Sequence, residues 1–164
     1  MAEGRTFIAV IGAGAGSCDA QVARIAEAVG REIAKAGAVL VCGGLGGVME
    51  AACRGASQQG GLTIGILPTN SRESANPYVR VAIATGLGEA RNALITRTSD
   101  AVIAIGGEFG TLSEIGLALK MGKPVVGIET WELAKGGQPS SAIRRAGSAE
   151  EAVKVAIELT SSNP

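Results

Sequence analysis

Three glycine-rich segments combine the residue types and spacing that could do chemistry in this sequence. They are Gly12-Ala13-Gly14-Ala15-Gly16, Gly43-Gly44-Leu45-Gly46-Gly47 and Gly106-Gly107-Glu108-Phe109-Gly110. Each follows a short apolar run and precedes a stretch with helical spacing, so each connects a strand end to a helix start. Glycine lets the main chain approach a ligand closely, and the helix that follows offers N–H groups and a positive dipole end. These loops predict a site for a phosphate or another small anion.

The first loop differs from the fingerprint of dinucleotide-binding proteins. In GxGxxG a third glycine would stand at Ser17, but here Gly16 comes one place early. The second apolar run ends at Cys42 and Gly43 without an Asp or Glu that could bind a ribose hydroxyl. The sequence therefore argues against NAD. The same glycines could also serve only the tight turn from strand to helix.

Two charged residues close to these loops are candidates for ligand contact. Glu114 follows Thr111 by three residues, so it either closes a capping box or faces the ligand. Arg91 falls on the first turn of a predicted helix, where a cation is unfavourable for the dipole, and we expect it to bind a ligand phosphate or a carboxylate such as Glu114. The candidate binding residues are Gly12, Gly14, Gly16, Gly43, Gly44, Gly46, Arg91, Asn92, Gly106, Gly107, Gly110, Thr111 and Glu114.

A parallel sheet is needed to bring these residues together, and the apolar pattern predicts one. Runs of strand length alternate with stretches of helical spacing, which is typical of successive strand-helix-strand units. The predicted strands cover residues 6–11, 38–42, 63–67, 79–84, 101–105 and 124–128. The predicted helices cover residues 19–36, 48–59, 88–98, 112–121 and 148–159, the last opening with a capping box from Ser148 to Glu151.

The fold class that follows from this alternation is α/β. We expect residues 1–164 to form a single doubly wound Rossmann-like domain with helices on both faces of the sheet. The sheet should be mainly parallel, with six or seven strands, and the strand order 3-2-1-4-5-6 is the most economical one. Ligands of such sheets bind beyond the carboxyl ends of the strands.

Composition excludes several other classes of function. The 164 residues include 15 Lys and Arg, 15 Asp and Glu, and no His. The balanced charge provides no broad basic surface for nucleic acid or an anionic membrane, and the lack of His excludes His-ligated metal sites. Aromatic residues make up only 2% of the chain, too few for stacking on exposed bases. We expect no nucleic-acid partner, no membrane association and no metal ligated by the protein.

The three cysteines indicate a reducing compartment. Cys18, Cys42 and Cys53 are odd in number, widely spaced and without a CxxC pair. Cys42 and Cys53 lie in apolar or alanine-rich segments, so we expect inert core residues. The N-terminal apolar run is shorter than a signal segment requires, and we expect a cytoplasmic protein. Two polar loops, residues 69–77 and 135–141, could move as lids.

Three motifs together resemble those of a known Rossmann-like superfamily, and the resemblance covers nearly the whole chain. They are GGLGGVMEAA at 43–52, GLGEARN at 86–92 and GGEFGTLSEIGLALKMGKPV at 106–125. The superfamily contains the molybdenum cofactor carrier proteins and the Lonely-guy cytokinin-activating phosphoribohydrolases, and its members have often been labelled lysine decarboxylases. GGEFGTLSE resembles the group's PGGxGTxxE motif, with Gly110, Thr111 and Glu114 at its last three fixed positions. No lysine is identifiable that would form a Schiff base with pyridoxal phosphate, so the decarboxylase label has no physical support.

The resemblance implies roles for two residues. In the phosphoribohydrolases the glutamate of this motif and an arginine on the preceding helix shape the active site, and they correspond here to Glu114 and Arg91. The His-Glu-Arg-Lys lead-in of those enzymes is absent, because residues 88–92 read Gly-Glu-Ala-Arg-Asn. The short length, the GLGEARN segment and the glycine-rich first loop look closer to the carrier branch.

The carrier branch implies a non-catalytic protein that binds and protects the molybdenum cofactor, which has a terminal phosphate. Two alternatives stay open. One is an enzyme that cleaves the N-glycosidic bond of a nucleoside 5'-monophosphate, with Glu114 and Arg91 as catalytic residues. The other is an oligomeric nucleotide-binding protein without catalysis. The family resemblance also implies a homodimer or homotetramer.

Overall fold

The computed structural model describes residues 4–162 and contains a parallel sheet of seven strands with helices on both faces. The strands of this sheet are β1 (Phe7–Gly12), β2 (Val39–Cys42), β3 (Thr63–Leu67), β4 (Val81–Ala84), β5 (Ala101–Ile105), β6 (Val125–Ile128) and β9 (Ile143–Arg145), whereas β7 (Ala134–Lys135) and β8 (Gln138–Pro139) form a separate antiparallel hairpin. The helices are α1 (Ala20–Lys35), α2 (Val48–Gln58), α3 (Asn92–Thr98), α4 (Phe109–Lys120) and α5 (Ala149–Ser161). The predicted α/β fold class is confirmed, and β9 and the hairpin are additions.

The strand order is β4-β3-β2-β1-β5-β6-β9, so the predicted order 3-2-1-4-5-6 is wrong. The fourth strand pairs with β3 at the edge of the sheet, not with β1. No α-helix lies between β3 and β4, where a single 3-10 turn (Arg72–Ser74) interrupts the loop, and the chain moves only to the adjacent position. Val81 and Ile83 are exposed on β4, as residues of an edge strand are.

The direction of winding changes between β1 and β5. From β1 the chain proceeds outward to β4, and α3 then carries it back across β2 and β1 to begin β5 on the other side. The two halves of the sheet therefore separate at the carboxyl ends of β1 and β5, which is where open α/β sheets bind their ligands.

The core lies on both faces of the sheet. Helices α1, α2 and α5 pack on one face around Val29 and Ile33, and α3 and α4 cover the other face through Ile95 and Ile115. Cys42 and Cys53 are buried in the first of these clusters with their Sγ atoms 3.5 Å apart. Within residues 4–162, every helix is too short or too polar to cross a bilayer.

Helix boundaries agree with the predictions at α1 and α5 and differ at α4. The Asp19 carboxylate accepts a hydrogen bond from Val22 N at 2.8 Å, and Ser148 Oγ accepts one from Glu151 N at 3.1 Å. Helix α4 begins at Phe109, three residues before the predicted start, because Gly106 and Gly107 take left-handed φ angles of 57° and 101° and complete the turn early. Residues 88–91 form a 3-10 turn ahead of α3.

The two loops predicted as possible lids have defined structure. Residues 69–77 contain the 3-10 turn, and Asn76 joins the segment to the second glycine loop: its main-chain N–H donates to Gly44 O at 2.8 Å and its Nδ2 donates to Leu45 O at 2.9 Å. Residues 135–141 include the turn of the β7–β8 hairpin, where Gly136 and Gly137 adopt positive φ. The first loop thereby supports the shape of the Gly43 loop.

Two glycines set the close approach of α1 and α2. A Cβ at Gly30 would overlap the carbonyl oxygen of Ala52, and one at Gly55 would overlap that of Glu27. We expect Gly30→Ala or Gly55→Ala to lower the free energy of unfolding by about 1–3 kcal/mol, because the helices must separate. Urea unfolding measures the change.

The matched control for these substitutions is Gly116→Ala on α4, where no atom lies within 4 Å of the added methyl group. This change should leave stability unaltered or raise it by up to about 1 kcal/mol, because alanine favours the helix over glycine. Equal stabilities of Gly30→Ala and Gly116→Ala would contradict the tight packing of α1 on α2.

Candidate functional site

A cleft of about 200 Å³ lies over the carboxyl end of β1, beside the point where the winding reverses. One residue or more from each glycine loop lines it: Gly12 and Gly14 from the first, Gly43 from the second, and Gly110 and Thr111 at the start of α4. The sheet thus brings the three loops together at a position typical of ligand sites in this class of fold.

Arg91 forms one wall of the cleft and is almost entirely buried. It comes from the 3-10 turn after β4, and its guanidinium lies so close to Gly43 that a Cβ at that position would overlap Nη1. Within the described range 4–162, Arg91 Nε is buried without a hydrogen-bond partner. Because Nε has no exposed surface, only the Nη groups of Arg91 could meet a ligand that enters the cleft.

Glu114 faces Arg91 from the second turn of α4. It is 8% exposed and lines the cleft. Burial raises the pKa of Glu114 from 4.5 to about 7, against the opposing effect of the Arg91 charge. Burial likewise lowers the pKa of Arg91, and the charge of Glu114 opposes that shift. The salt bridges among residues 4–162 do not include this pair, so the two groups interact through space without direct contact.

The capping-box alternative for Glu114 is wrong. A capping box would require Thr111 at the N-cap of α4, but the N-cap is Glu108, whose side chain makes no capping hydrogen bond. Glu114 therefore lies in the second turn of the helix. Its carboxyl group is therefore not used to close the first turn. The first main-chain N–H groups of α4 have no acceptor within the helix. They lie beside Gly110 and Thr111 at the cleft.

Main-chain N–H groups that follow the first glycine loop are already bonded within the chain. The N–H groups of Ser17 and Cys18 donate to Gly14 O at 3.1 and 3.0 Å, and the Asp19 carboxylate caps α1. The positive end of α1 therefore already has a negative partner from the same chain. Helix α4 has no side-chain cap of this kind, although the Glu108 and Glu114 carboxyl groups line the cleft at its start.

The structure places the predicted site residues in two groups. Those that line the cleft are Gly12, Gly14, Gly43, Arg91, Asn92, Gly110, Thr111 and Glu114. Those that do not are Gly16, Gly44, Gly46, Gly106 and Gly107. The members of the second group whose contacts are defined shape the loops: Gly44 packs against Leu67 with a φ of 76°, and Gly106 O accepts a hydrogen bond from Thr130 Oγ1 at 2.6 Å.

Four lining residues were not among the predicted ones. They are Val10, Ile11, Met49 and Glu108. Met49 and Glu108 stand inside the motifs quoted above, and their spacing relative to the neighbouring glycines could have indicated them. Val10 and Ile11 belong to the buried end of β1. The sequence of an apolar strand does not indicate which of its residues line a cleft and which are buried in the core.

Residues 4–162 contain no group of three or more His, Cys, Asp or Glu side chains arranged to hold a metal ion.

Residues 5–158 match the SLOG cluster4 family. The chain belongs to this family. Among solved structures, it is similar to the molybdenum cofactor binding protein of the phototrophic bacterium Rippkaea orientalis, with 36% identity, a TM-score of 0.85 and coverage of 96% of this chain and 98% of the other. It is also similar to the molybdenum cofactor carrier protein of Chlamydomonas reinhardtii, with 30% identity, a TM-score of 0.83 and coverage of 97% and 100%.

This chain is also similar to an uncharacterised protein of Archaeoglobus fulgidus. It is 50% identical over 116 residues, which are 71% of this SLOG-family chain and 76% of the other. The resemblance inferred from the three motifs is confirmed by the family match and by these structures, all of which share the Rossmann-like architecture.

Glu114 makes stability depend on pH in a definite direction. Its pKa is higher in the folded protein than in the unfolded chain, so its contribution is fully present below about pH 4.5 and is lost as the pH rises through about 7. We expect the wild type to lose on the order of 3 kcal/mol relative to Glu114→Gln across this range. Urea unfolding of both proteins between pH 4.5 and 8 measures the difference, and parallel curves would contradict it.

Proposed function

We propose that this protein is a non-catalytic carrier that binds and protects the molybdenum cofactor by holding its phosphate. The proposal is supported by two solved structures, a molybdenum cofactor binding protein and a molybdenum cofactor carrier protein, that match nearly the full length of this chain. The single observation that carries it is the Arg91 guanidinium, which lines the cleft where the glycine loops meet and forms no salt bridge among residues 4–162.

The cleft suits a phosphate group for three physical reasons. Arg91 supplies a positive charge and N–H donors held rigidly against Gly43. The uncapped start of α4 supplies main-chain N–H groups and a positive dipole end near Gly110 and Thr111. Glu114, with a pKa of about 7, is largely protonated in mildly acidic solution and can then donate a hydrogen bond to a phosphate oxygen.

The metal of the cargo needs no ligand from this chain under the proposal. The pterin dithiolene already chelates molybdenum when the cofactor arrives, so the protein's task is to bind the phosphate and to limit access of oxidants to the rest of the molecule. The residues that line the cleft are consistent with this role, because they include groups that can bind a phosphate. Residues 4–162 contain no cluster of side chains arranged to bind a metal ion.

The test compares Arg91→Ala with Arg97→Ala, an exposed arginine at the end of α3. Losing a charge-assisted hydrogen bond should weaken cofactor binding by roughly 10- to 100-fold in Arg91→Ala, with no change in Arg97→Ala. Retention of fresh cofactor on gel filtration and its rate of oxidative decay are the measurements. Equal decay with and without the wild-type protein defeats the proposal, and tight nucleotide binding without cofactor protection would support the nucleotide-binding alternative.

A second candidate function is hydrolysis of a nucleoside 5'-monophosphate at its N-glycosidic bond. The observation that favours it is the carboxyl group of Glu114, whose raised pKa lies near neutrality beside a phosphate-binding arginine. In that reaction Glu114 would stabilise the oxocarbenium-like ribosyl group or position water, and Arg91 would hold the phosphate.

The measurement for this candidate is release of free base from AMP and from a cytokinin riboside 5'-monophosphate. Glu114→Gln should abolish release, whereas Glu158→Gln on the exposed surface of α5 should not change it. Turnover retained in Glu114→Gln would remove this residue from the mechanism. No release by the wild type would leave the carrier function as the better account.

The assembly state belongs to the same proposal. We expect a homodimer or homotetramer in the cytoplasm, as the family resemblance implies. Sedimentation velocity of the purified chain measures the assembly directly.

A further inference from the structure

A second and larger groove adjoins the Arg91 cleft. This groove has a volume of about 530 Å³ and shares Asn92 and Gly110 with the cleft. Its other lining residues are Glu89, Ala90, Ala93, Phe109, Ser113 and Leu117. Sites for small organic ligands typically measure about 300–1,000 Å³, so the cleft alone accommodates a phosphate and little else. Any ligand with a ring system must extend beyond it, and the groove is the adjoining space.

Phe109 is the distinctive side chain of the groove. It is 75% exposed, the largest value among the exposed large hydrophobic side chains of residues 4–162. It stands at the first position of α4, next to the Gly110 and Thr111 groups of the cleft. An exposed phenyl ring at this position is unfavourable in water, and covering it with a flat apolar surface would be favourable.

Trp131 packs beside Phe109. The two ring centroids are 5.5 Å apart with an interplanar angle of 39°. The indole Nε1 of Trp131 donates a hydrogen bond to the carbonyl oxygen of Glu108 at 3.2 Å, which fixes the tryptophan to the N-cap of α4. The chain contains only two Phe, one Tyr and one Trp, and this pair stands at the mouth of the site.

We infer that Phe109, supported by Trp131, is a stacking surface for the planar nitrogen heterocycle of the ligand whose phosphate occupies the Arg91 cleft. The inference rests on the proposed phosphate-binding function and adds the second half of the ligand. Ala90, Ala93 and Leu117 provide the apolar surroundings that a flat ring needs. Asn92 lies at the junction, where its amide offers both a donor and an acceptor to the polar edge of the ring.

The shared chemistry of the occupant is a planar heterocycle joined to a phosphate, which both a pterin phosphate and a purine nucleotide possess. The experiment therefore uses three probes: ribose 5-phosphate, which lacks a planar heterocycle, AMP and neopterin monophosphate. Calorimetry measures the affinity of each for the full-length protein. The fluorescence of Trp131, the single tryptophan, reports binding of the AMP ring independently, with ribose 5-phosphate as the control that has no heterocycle.

The expected result is that a ring-bearing probe binds the wild type roughly tenfold or more tightly than ribose 5-phosphate, since stacking on an aromatic side chain contributes on the order of 1–3 kcal/mol per base. Phe109→Ala should remove that advantage and leave ribose 5-phosphate affinity unchanged. Phe109→Tyr should keep it, and so should Ile83→Ala, which removes another exposed apolar side chain on the distant edge strand β4. Preference for neopterin monophosphate over AMP identifies the ring as a pterin, and the reverse identifies a purine.

Two results would overturn the inference. One is an unchanged affinity ratio in Phe109→Ala. The other is a change in sedimentation of Phe109→Ala with ring affinity intact, which would assign the groove to contact with a second copy of the chain. If Phe109→Ala fails to fold, Phe109→Leu, which keeps the bulk and removes the aromatic face, gives the same comparison. Failure of ribose 5-phosphate, AMP and neopterin monophosphate alike to bind the wild type would refute the phosphate-binding proposal itself.

Discussion

The burial of the Arg91 guanidinium against the main chain of Gly43 is the interaction on which the site depends. It requires a glycine at the end of β2, because any Cβ would displace the guanidinium. It requires the 3-10 turn after β4 to return the chain over the sheet, and it places a positive charge in a cleft that also contains Glu114. The charge is desolvated, and no carboxylate of residues 4–162 pairs with it within 4.0 Å.

Most of the strands could be predicted from the sequence because both faces of a parallel sheet are covered, and the strands are then continuously apolar. The runs at 63–67 and 101–105 agree residue for residue with β3 and β5. The short strand β9 could not be predicted, since only Ile143 of its three residues is buried and two arginines follow it. Its existence depends on pairing with β6, which is a tertiary contact.

The strand order was wrong for a related reason. Apolar periodicity indicates which segments are strands, but not which neighbours they pair with. The deciding fact was the connection between β3 and β4, which lacks an α-helix and is bound through Asn76 to the second glycine loop. The cleft nevertheless lies at the predicted edge of the sheet. In any parallel arrangement the loops at the carboxyl ends share one side, so the meeting of Gly12, Gly43 and Gly110 does not depend on the order of the outer strands.

Asp19 determines how the start of the first helix is used. In nucleotide folds that bind a pyrophosphate, the start of the first helix is open to the ligand, but here a carboxylate from the chain accepts the N–H of Val22 at that place. The positive end of α1 is therefore neutralised by the chain itself, so of α1 and α4 only α4 begins without a side-chain cap.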